Sequence, residues 1–132
     1  MAEKPLIAIV DDDESVREAL RSLVRSLGYA VTEFASADQF LNCNCINETA
    51  CLITDVQMPG LSGLELLRRL AMSGAKRIPA IVITAYPNET TERQARQAGV
   101  VGYLSKPFNE RDLVDYLRAA VMFPSSGHLE NT

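Results

Sequence analysis

Positive charge is in short supply in this sequence: 13 lysines and arginines stand against 17 aspartates and glutamates, for a formal net charge of −4 and an isoelectric point near 5.0. Without a basic field to gather nucleic-acid phosphates, no direct nucleic-acid binding by this chain is expected. Long apolar runs are missing too. None approaches the roughly 20 residues needed to cross a bilayer, and the opening Met1-Ala2-Glu3-Lys4-Pro5 has no apolar secretory segment, so the expectation is a cytoplasmic chain with no membrane partner. Cysteine is sparse and odd in number. Cys43, Cys45 and Cys51 lie close together, a pattern that predicts reduced thiols rather than a disulfide framework, and no second pair of Cys or His follows at zinc-like spacing. Internal repeats and low-complexity tracts are also absent.

What is present is an ordinary globular composition, 47% hydrophobic and 23% charged over 132 residues, enough for one domain with one closed core. Five short apolar runs, at 6–10, 30–34, 50–54, 80–84 and 100–104, alternate with segments of helical periodicity. That alternation predicts an α/β fold, a parallel sheet covered by helices. The first, third and fourth runs are nearly continuous in Ile, Val, Leu and Ala, as strands buried on both faces require.

The first helix is expected to start within Asp13 to Ser15 and reach Leu27, with Val16, Leu20, Leu23, Val24 and Leu27 on one face and Gly28 as its stop. Ser36 caps a short second helix to Leu41, with Phe40 and Leu41 inward, and a polar loop through Asn42 to Thr49 follows. Ser62 caps a third, turning Leu64, Leu67, Leu70 and Ala71 inward until Gly74. Asn109 caps the last, Glu110 to about Phe123, burying Leu113, Leu117, Ala120 and Val121, with Asp112 reinforcing the cap. The fourth segment, about Asn88 to Ala98, has only Ala95 and Ala98 for an apolar face; a helix docked through alanines is held less firmly than one docked through leucines, so this is the expected mobile element. The domain is expected to span 4–122, with 123–132 as a C-terminal tail or the start of a linker.

In an open parallel sheet, ligands bind outside the carboxyl ends of the strands. The first run ends in Asp11, Asp12 and Asp13, the third in Asp55, the fourth in Thr84, and the fifth leads into Ser105, Lys106 and Pro107. Two carboxylates at ~4 Å repel by roughly 4 kcal/mol at an effective dielectric of ~20. Lys106 alone is too little to offset three such groups, and a cluster of hard oxygen ligands suits Mg²⁺, which a phosphoryl group could then join. Singly, Asp13 reads as a helix-start acid, Asp55 as a loop-opening aspartate, Thr84 as a strand residue and Lys106 as a solvated surface charge. Asp11 and Asp12 cannot both cap one helix. Their coincidence at one sheet edge favours a site.

Ile9-Val10-Asp11-Asp12-Asp13-Glu14, Leu52-Ile53-Thr54-Asp55-Val56-Gln57-Met58-Pro59-Gly60, Ile81-Val82-Ile83-Thr84-Ala85 and Tyr103-Leu104-Ser105-Lys106-Pro107-Phe108 resemble, in order and spacing, the receiver domain of two-component response regulators. The resemblance covers about Lys4 to Met122. It implies a flavodoxin-like, receiver-type domain: a five-stranded parallel sheet in the order 2-1-3-4-5 with five helices on its two faces. It implies Asp55 as phosphoacceptor from a sensor histidine kinase, and Mg²⁺ (or Mn²⁺) held by Asp11, Asp12, Asp55 and the backbone carbonyl of Gln57. Thr84 and Lys106 would contact phosphoryl oxygens, Tyr103 would be the aromatic that moves with the switch, and Gln57 and Tyr86 would tune the lifetime of the anhydride. A cis bond between Lys106 and Pro107 is carried over with the family. So is a switch surface of fourth helix, fifth strand and fifth helix, where phosphorylation would produce a homodimer. Pro87, just before the fourth helix, is a departure that stiffens or displaces the following loop.

The segments Ser36 to Leu41 and Ser105 to Phe108 look most like receivers joined to LuxR-type helix-turn-helix transcription regulators, so the expected output is transcription through a DNA-binding domain outside this chain. Such a protein is a signalling switch that assists its own phosphorylation and dephosphorylation rather than an enzyme. A stand-alone regulator acting by protein–protein interaction is the alternative. An Asp-x-Asp start at Asp11 and Asp13 also resembles haloacid-dehalogenase phosphatases, with Asp11 as nucleophile, but that family needs a longer chain and a cap. A flavin phosphate would be repelled by three aspartates after the first strand.

Overall fold

The computed structural model describes residues 4–74 and 77–122. Along the chain run β1 (Leu6–Val10), α1 (Glu14–Ser26), β2 (Ala30–Phe34), α2 (Ala37–Leu41), a 3₁₀ turn (Ile46–Glu48), β3 (Thr49–Asp55), α3 (Gly63–Met72), β4 (Ala80–Thr84), α4 (Glu89–Gln97), β5 (Gly102–Ser105) and α5 (Glu110–Met122). All strand pairs are parallel and the sheet order is β2-β1-β3-β4-β5, as the resemblance implies.

Alternation along each strand divides the core in two. Ile7, Ile9, Cys51, Ile53, Ile81 and Ile83 point to one face, where Leu20 and Val24 of α1 and Leu113, Leu117 and Ala120 of α5 cover them. Ala8, Val10, Leu52 and Val82 point to the other, against Phe40 of α2, Leu66 and Leu67 of α3 and Ala95 of α4. Because both faces are covered, β1, β3 and β4 read as continuous apolar runs, while the edge strand β2 is only half-buried along its length. Arg17 and Arg21 of α1 both reach Glu33 of β2, which ties helix to edge strand.

The caps fall where the side-chain chemistry places them. Asp13, Ser36, Ser62, Asn88 and Asn109 each accept a backbone N–H from the first turn of the following helix. Gly28, with φ +95°, follows the end of α1.

Several expectations need correction. β5 begins at Gly102, not Val100, because the Val100 N–H donates to the Ala95 carbonyl at the end of α4 (3.3 Å) and is not free for the ladder. β3 is longer than expected by Thr49 and Asp55. In α3 the buried stripe is Gly63, Leu66 and Leu67, with Leu70 half-buried, whereas Ala71 is exposed. In α4 Ala98 is exposed, and Thr91 joins Ala95 as the buried pair. The cysteines are not all free: Cys43 and Cys45 are paired as a disulfide, their Cα atoms 5.5 Å apart, which is within disulfide reach. Cys51 is free and buried in β3. The expected end of α5 at Phe123 and the tail at 123–132 lie outside the described residues.

Gly63 explains the rotation of α3. A Cβ at this position would lie 1.9 Å from the Asp55 carbonyl oxygen and 2.9 Å from its carbon, so the first turn of the helix rests directly on the backbone that ends β3. The Gly63 N–H donates to the Val56 carbonyl (3.0 Å), closing the loop between them. Once Gly63 faces the sheet, helical geometry turns Leu66, Leu67 and Leu70 to the same side. Gly63→Ala is therefore expected to destabilise the fold by ~1–3 kcal/mol or more, since the clash is with main chain rather than a movable side chain; urea unfolding measures it.

Candidate functional site

The carboxyl ends of β1, β3, β4 and β5 bring the predicted polar residues to one edge of the sheet. Asp11 directly follows β1, Asp55 closes β3, Thr84 closes β4, and Lys106 follows β5. One carboxylate oxygen from each of Asp11, Asp12 and Asp55 lies within 4.8 Å of the others. Asp11 and Asp55 are buried, at 2% and 5% exposure, and Asp12 faces solvent. Lys106 Nζ sits between the buried pair, 3.0 Å from Asp11 Oδ2 and 3.2 Å from Asp55 Oδ2. Its own backbone N–H donates to the Thr84 carbonyl (2.8 Å), and its bond to Pro107 is cis, as the resemblance implies.

Backbone contacts hold the acids in place. The Val56 N–H donates to Asp55 Oδ1 (2.7 Å), and the Asp13 N–H donates to Asp11 Oδ1 (2.9 Å). Arg17 Nη1 donates to the Asp11 carbonyl (2.6 Å), joining the site to α1 and, through Glu33, to β2. Asp13 is a cap: its Oδ1 accepts from the Ser15 N–H (2.9 Å) and the Val16 N–H (3.4 Å). Asp13 thus serves the start of α1, and it is not among the acids that converge with Asp11, whose neighbours are Asp12 and Asp55.

Burial pushes the Asp55 carboxyl above the ordinary carboxylate value, and the Asp11 charge adds to that push, while Lys106 and the Val56 N–H oppose it. For Lys106, burial works to lower the ammonium's affinity for its proton, but hydrogen bonds and attraction to Asp11 and Asp55 outweigh it and leave the net shift upward. The donor set is three hard carboxylate oxygens converging at a solvent-accessible edge. That chemistry fits a Mg²⁺- or Mn²⁺-class ion better than a soft metal, which would call for sulfur or imidazole.

Thr84 is engaged on both sides of its hydroxyl. It donates to Gln57 Oε1 (2.8 Å) and accepts from the Tyr86 N–H (3.1 Å). Tyr86 itself is 70% exposed. Tyr103, on β5 opposite Val82, is half-buried against the α2–α3–α4 side of the core, and its hydroxyl is buried without a hydrogen-bond partner among the described residues.

Sequence reasoning missed three supports. Helical periodicity gives Arg17 no task beyond lying off the apolar face of α1, yet its guanidinium holds the Asp11 main chain. Gln57 was considered for its backbone carbonyl and its place beside the acceptor, not as the side-chain acceptor of the Thr84 hydroxyl. Gly63 was not singled out, although a glycine immediately after a capping serine, where any residue would serve helically, is a signal of close approach.

Comparison with known proteins bears on the fold and the family. The family described as response regulator receiver domain matches residues 7–118. The response regulator protein TmoT of Ectopseudomonas mendocina is 44% identical over 119 residues, 90% of this chain and 54% of that protein. The transcriptional regulatory protein FixJ of Azorhizobium caulinodans is 38% identical over 121 residues, 92% of this chain and 57% of that protein. A crystal structure of a response regulator receiver protein from Burkholderia phymatum superposes with a TM-score of 0.76 at 39% identity, covering 90% of this chain and 96% of that one. The chain thus spans about half the length of the curated relatives it matches.

The raised Asp55 carboxyl has a consequence for stability. Because its folded-state value lies above the unfolded one, ionising it costs folding free energy. That cost is absent at pH values below the unfolded carboxylate range, grows as pH rises through it, and is complete above the folded value. In buffer free of divalent cations, Asp55→Asn is expected to melt at a higher temperature than the parent chain at neutral pH, with the difference vanishing in acid; a thermal unfolding series across pH measures it.

Proposed function

The chain belongs to the response regulator receiver domain family, and from that footing we propose that Asp55 accepts a phosphoryl group from the phosphohistidine of a sensor histidine kinase. The observation that supports this reading is the Asp55 carboxylate itself, buried at the end of β3 with Asp11, Asp12 and the Lys106 ammonium gathered around it. Asp11, Asp12 and Asp55, with the backbone carbonyl of Gln57, would hold Mg²⁺ (or Mn²⁺), which when bound supplies positive charge to the carboxylates and to incoming phosphoryl oxygens.

The protein's own groups then act by placement and charge. A carboxylate is a weak nucleophile towards phosphorus, so holding it in line with the donor matters more than its basicity. The Val56 N–H on Oδ1 and Lys106 Nζ on Oδ2 fix the Asp55 carboxylate, and one of its oxygens forms the bond to phosphorus as the donor imidazole's P–N bond breaks. Lys106, already between Asp11 and Asp55, moves little to meet a phosphoryl oxygen. The product is a mixed anhydride that water hydrolyses, so one site both receives the signal and limits its duration. Gln57 and Tyr86, on the loops beside it, set that lifetime. In this reading the chain is a switch that assists its own phosphorylation and dephosphorylation rather than an enzyme with a separate substrate.

Thr84 carries the change outward. To donate to a phosphoryl oxygen it must release Gln57 Oε1, trading a neutral hydrogen bond for a charge-assisted one roughly twice as strong. Its displacement makes room for the Tyr103 ring, whose buried hydroxyl has no hydrogen-bond partner among the described residues to hold it in place. The surface of α4, β5 and α5 is rearranged and becomes the face of a homodimer. Residues 4–122 form the receiver unit, 123–132 serve as tail or linker, and the output is transcription through a DNA-binding domain outside this chain. Support for that output comes from relatives of about twice the length that include a transcriptional regulatory protein.

Incubation with acetyl phosphate and Mg²⁺ is expected to add one phosphoryl group, about 80 Da by intact mass, and Asp55→Asn is expected to add none. Equal uptake by the variant would remove Asp55 from its role. Sedimentation of the same samples tests the dimer, which is wrong if mass in solution stays constant on phosphorylation. Gln57→Ala frees the Thr84 hydroxyl from a competing acceptor worth ~0.5–1.5 kcal/mol, so the apparent affinity for a beryllofluoride phosphoryl mimic is expected to rise about 2- to 10-fold. Titration followed by NMR reads it, and unchanged affinity would show that Gln57 does not restrain Thr84.

A further inference from the structure

The loop between α2 and β3 holds chemistry that the phosphoryl site does not use. Cys43 and Cys45 are paired and half-buried, packed at the margin of the core on the α2–α3 side rather than sealed within it, and Asn44 between them is exposed. Bonds that do not involve sulfur fix the backbone on either side. The Cys43 N–H donates to the Phe40 carbonyl (3.1 Å), and the Cys45 carbonyl accepts from Thr49 Oγ1 (2.8 Å) and the Glu48 N–H (3.1 Å). The two side chains are therefore held side by side by the end of α2 and the 3₁₀ turn, not by their own bond alone. The Cys45 N–H also donates to Cys43 Sγ (3.2 Å), a contact that strengthens when that sulfur carries negative charge.

Metal binding does not account for the pair, because among the described residues no third His, Cys, Asp or Glu completes a ligand group with it. Cys51 offers a contrast within the same chain. It is fully buried in β3, and burial pushes its thiol up to about 12, so it is shielded from exchange.

We propose that Cys43 and Cys45 form a reversible dithiol–disulfide site that exchanges with low-molecular-weight disulfides of the glutathione type. The Cys43 thiolate attacks one sulfur of the small disulfide, whose S–S bond breaks to release one thiolate and leave a mixed disulfide. The Cys45 thiolate then attacks Cys43 Sγ, the Cys43–Cys45 bond forms, and the second small thiolate leaves. Two protein thiols are oxidised, one small disulfide is reduced to two thiols, and the protons from Cys43 and Cys45 pass to the departing thiolates. The pair precedes β3 whereas Asp55 ends that strand, roughly 20 Å away at ~3.3 Å per residue, so the site stands apart from the phosphoryl reading.

The test uses the whole chain, first fully reduced, then incubated with oxidised glutathione, labelled with maleimide without unfolding, and weighed intact. The expected product is about 2 Da lighter than the dithiol, takes no maleimide at Cys43 or Cys45, and is reopened by reduced glutathione. Cys51 is expected to label only after unfolding. Cys45→Ser, which removes the resolving thiol, is expected to accumulate a glutathione adduct mapped to Cys43. Full maleimide labelling of both loop cysteines after oxidation would overturn the proposal. So would a lasting glutathione adduct or a disulfide-linked dimer of the unaltered chain in place of the closed ring.

Discussion

The Lys106 ammonium, seated between Asp11 and Asp55, is the interaction on which the rest of the molecule turns. Two buried carboxylates at the mouth of a sheet repel each other by several kcal/mol at close range, of order ~4 at an effective dielectric of ~20. A single lysine reduces that repulsion without removing it, and Asp12 nearby adds a third acid. The edge is thus held together while keeping an appetite for positive charge. The fold supplies rigid mounts for each participant: a glycine-first helix pressed on the Asp55 backbone, an arginine on the Asp11 carbonyl, and a β4 carbonyl on the Lys106 N–H.

Much of this was legible in the sequence, for identifiable reasons. Strands covered on both faces leave uninterrupted apolar runs, so β1, β3 and β4 announced themselves. Caps such as Ser36, Ser62 and Asn109 act through short-range hydrogen bonding and are read from a few neighbouring residues. The gathering of Asp11, Asp12, Asp55 and Lys106 followed from a general rule about where the ends of parallel strands meet. What escaped was set by tertiary contact. Helical periodicity alone could not decide between Leu66 and Ala71 as the buried residue of α3, because the rotation is fixed by Gly63 against a carbonyl contributed by β3. The start of β5 depended on whether α4 claimed the Val100 N–H. The Gln57–Thr84 bond joins a loop residue to the last residue of β4, distant in sequence, and side-chain partners of that kind leave no local trace. The cysteines misled because their number and spacing carry no information on how tightly the loop turns.

The chain's membership of the receiver family and its span of only half the length of its curated relatives bear on one another. All the chemistry that the family motif carries lies on the strand ends and loops of one compact sheet, so the unit needs nothing beyond its own residues to form the acidic pocket. What such a unit does for a larger protein has to pass through its surface. Between the pocket and that surface lie Thr84, its hydroxyl held between Gln57 and the Tyr86 N–H, and Tyr103, its buried hydroxyl without a hydrogen-bond partner among the described residues.

The slender attachment of α4 has an evolutionary corollary. Only Thr91 and Ala95 turn inward from this helix, while Glu92 and Arg96 pair with each other on its flank. Most of its sequence can consequently drift without loosening the core. Duplicated copies of such a gene can diverge along this one stretch while every copy inherits the same acidic pocket, mounted on β1, β3, β4 and β5, intact.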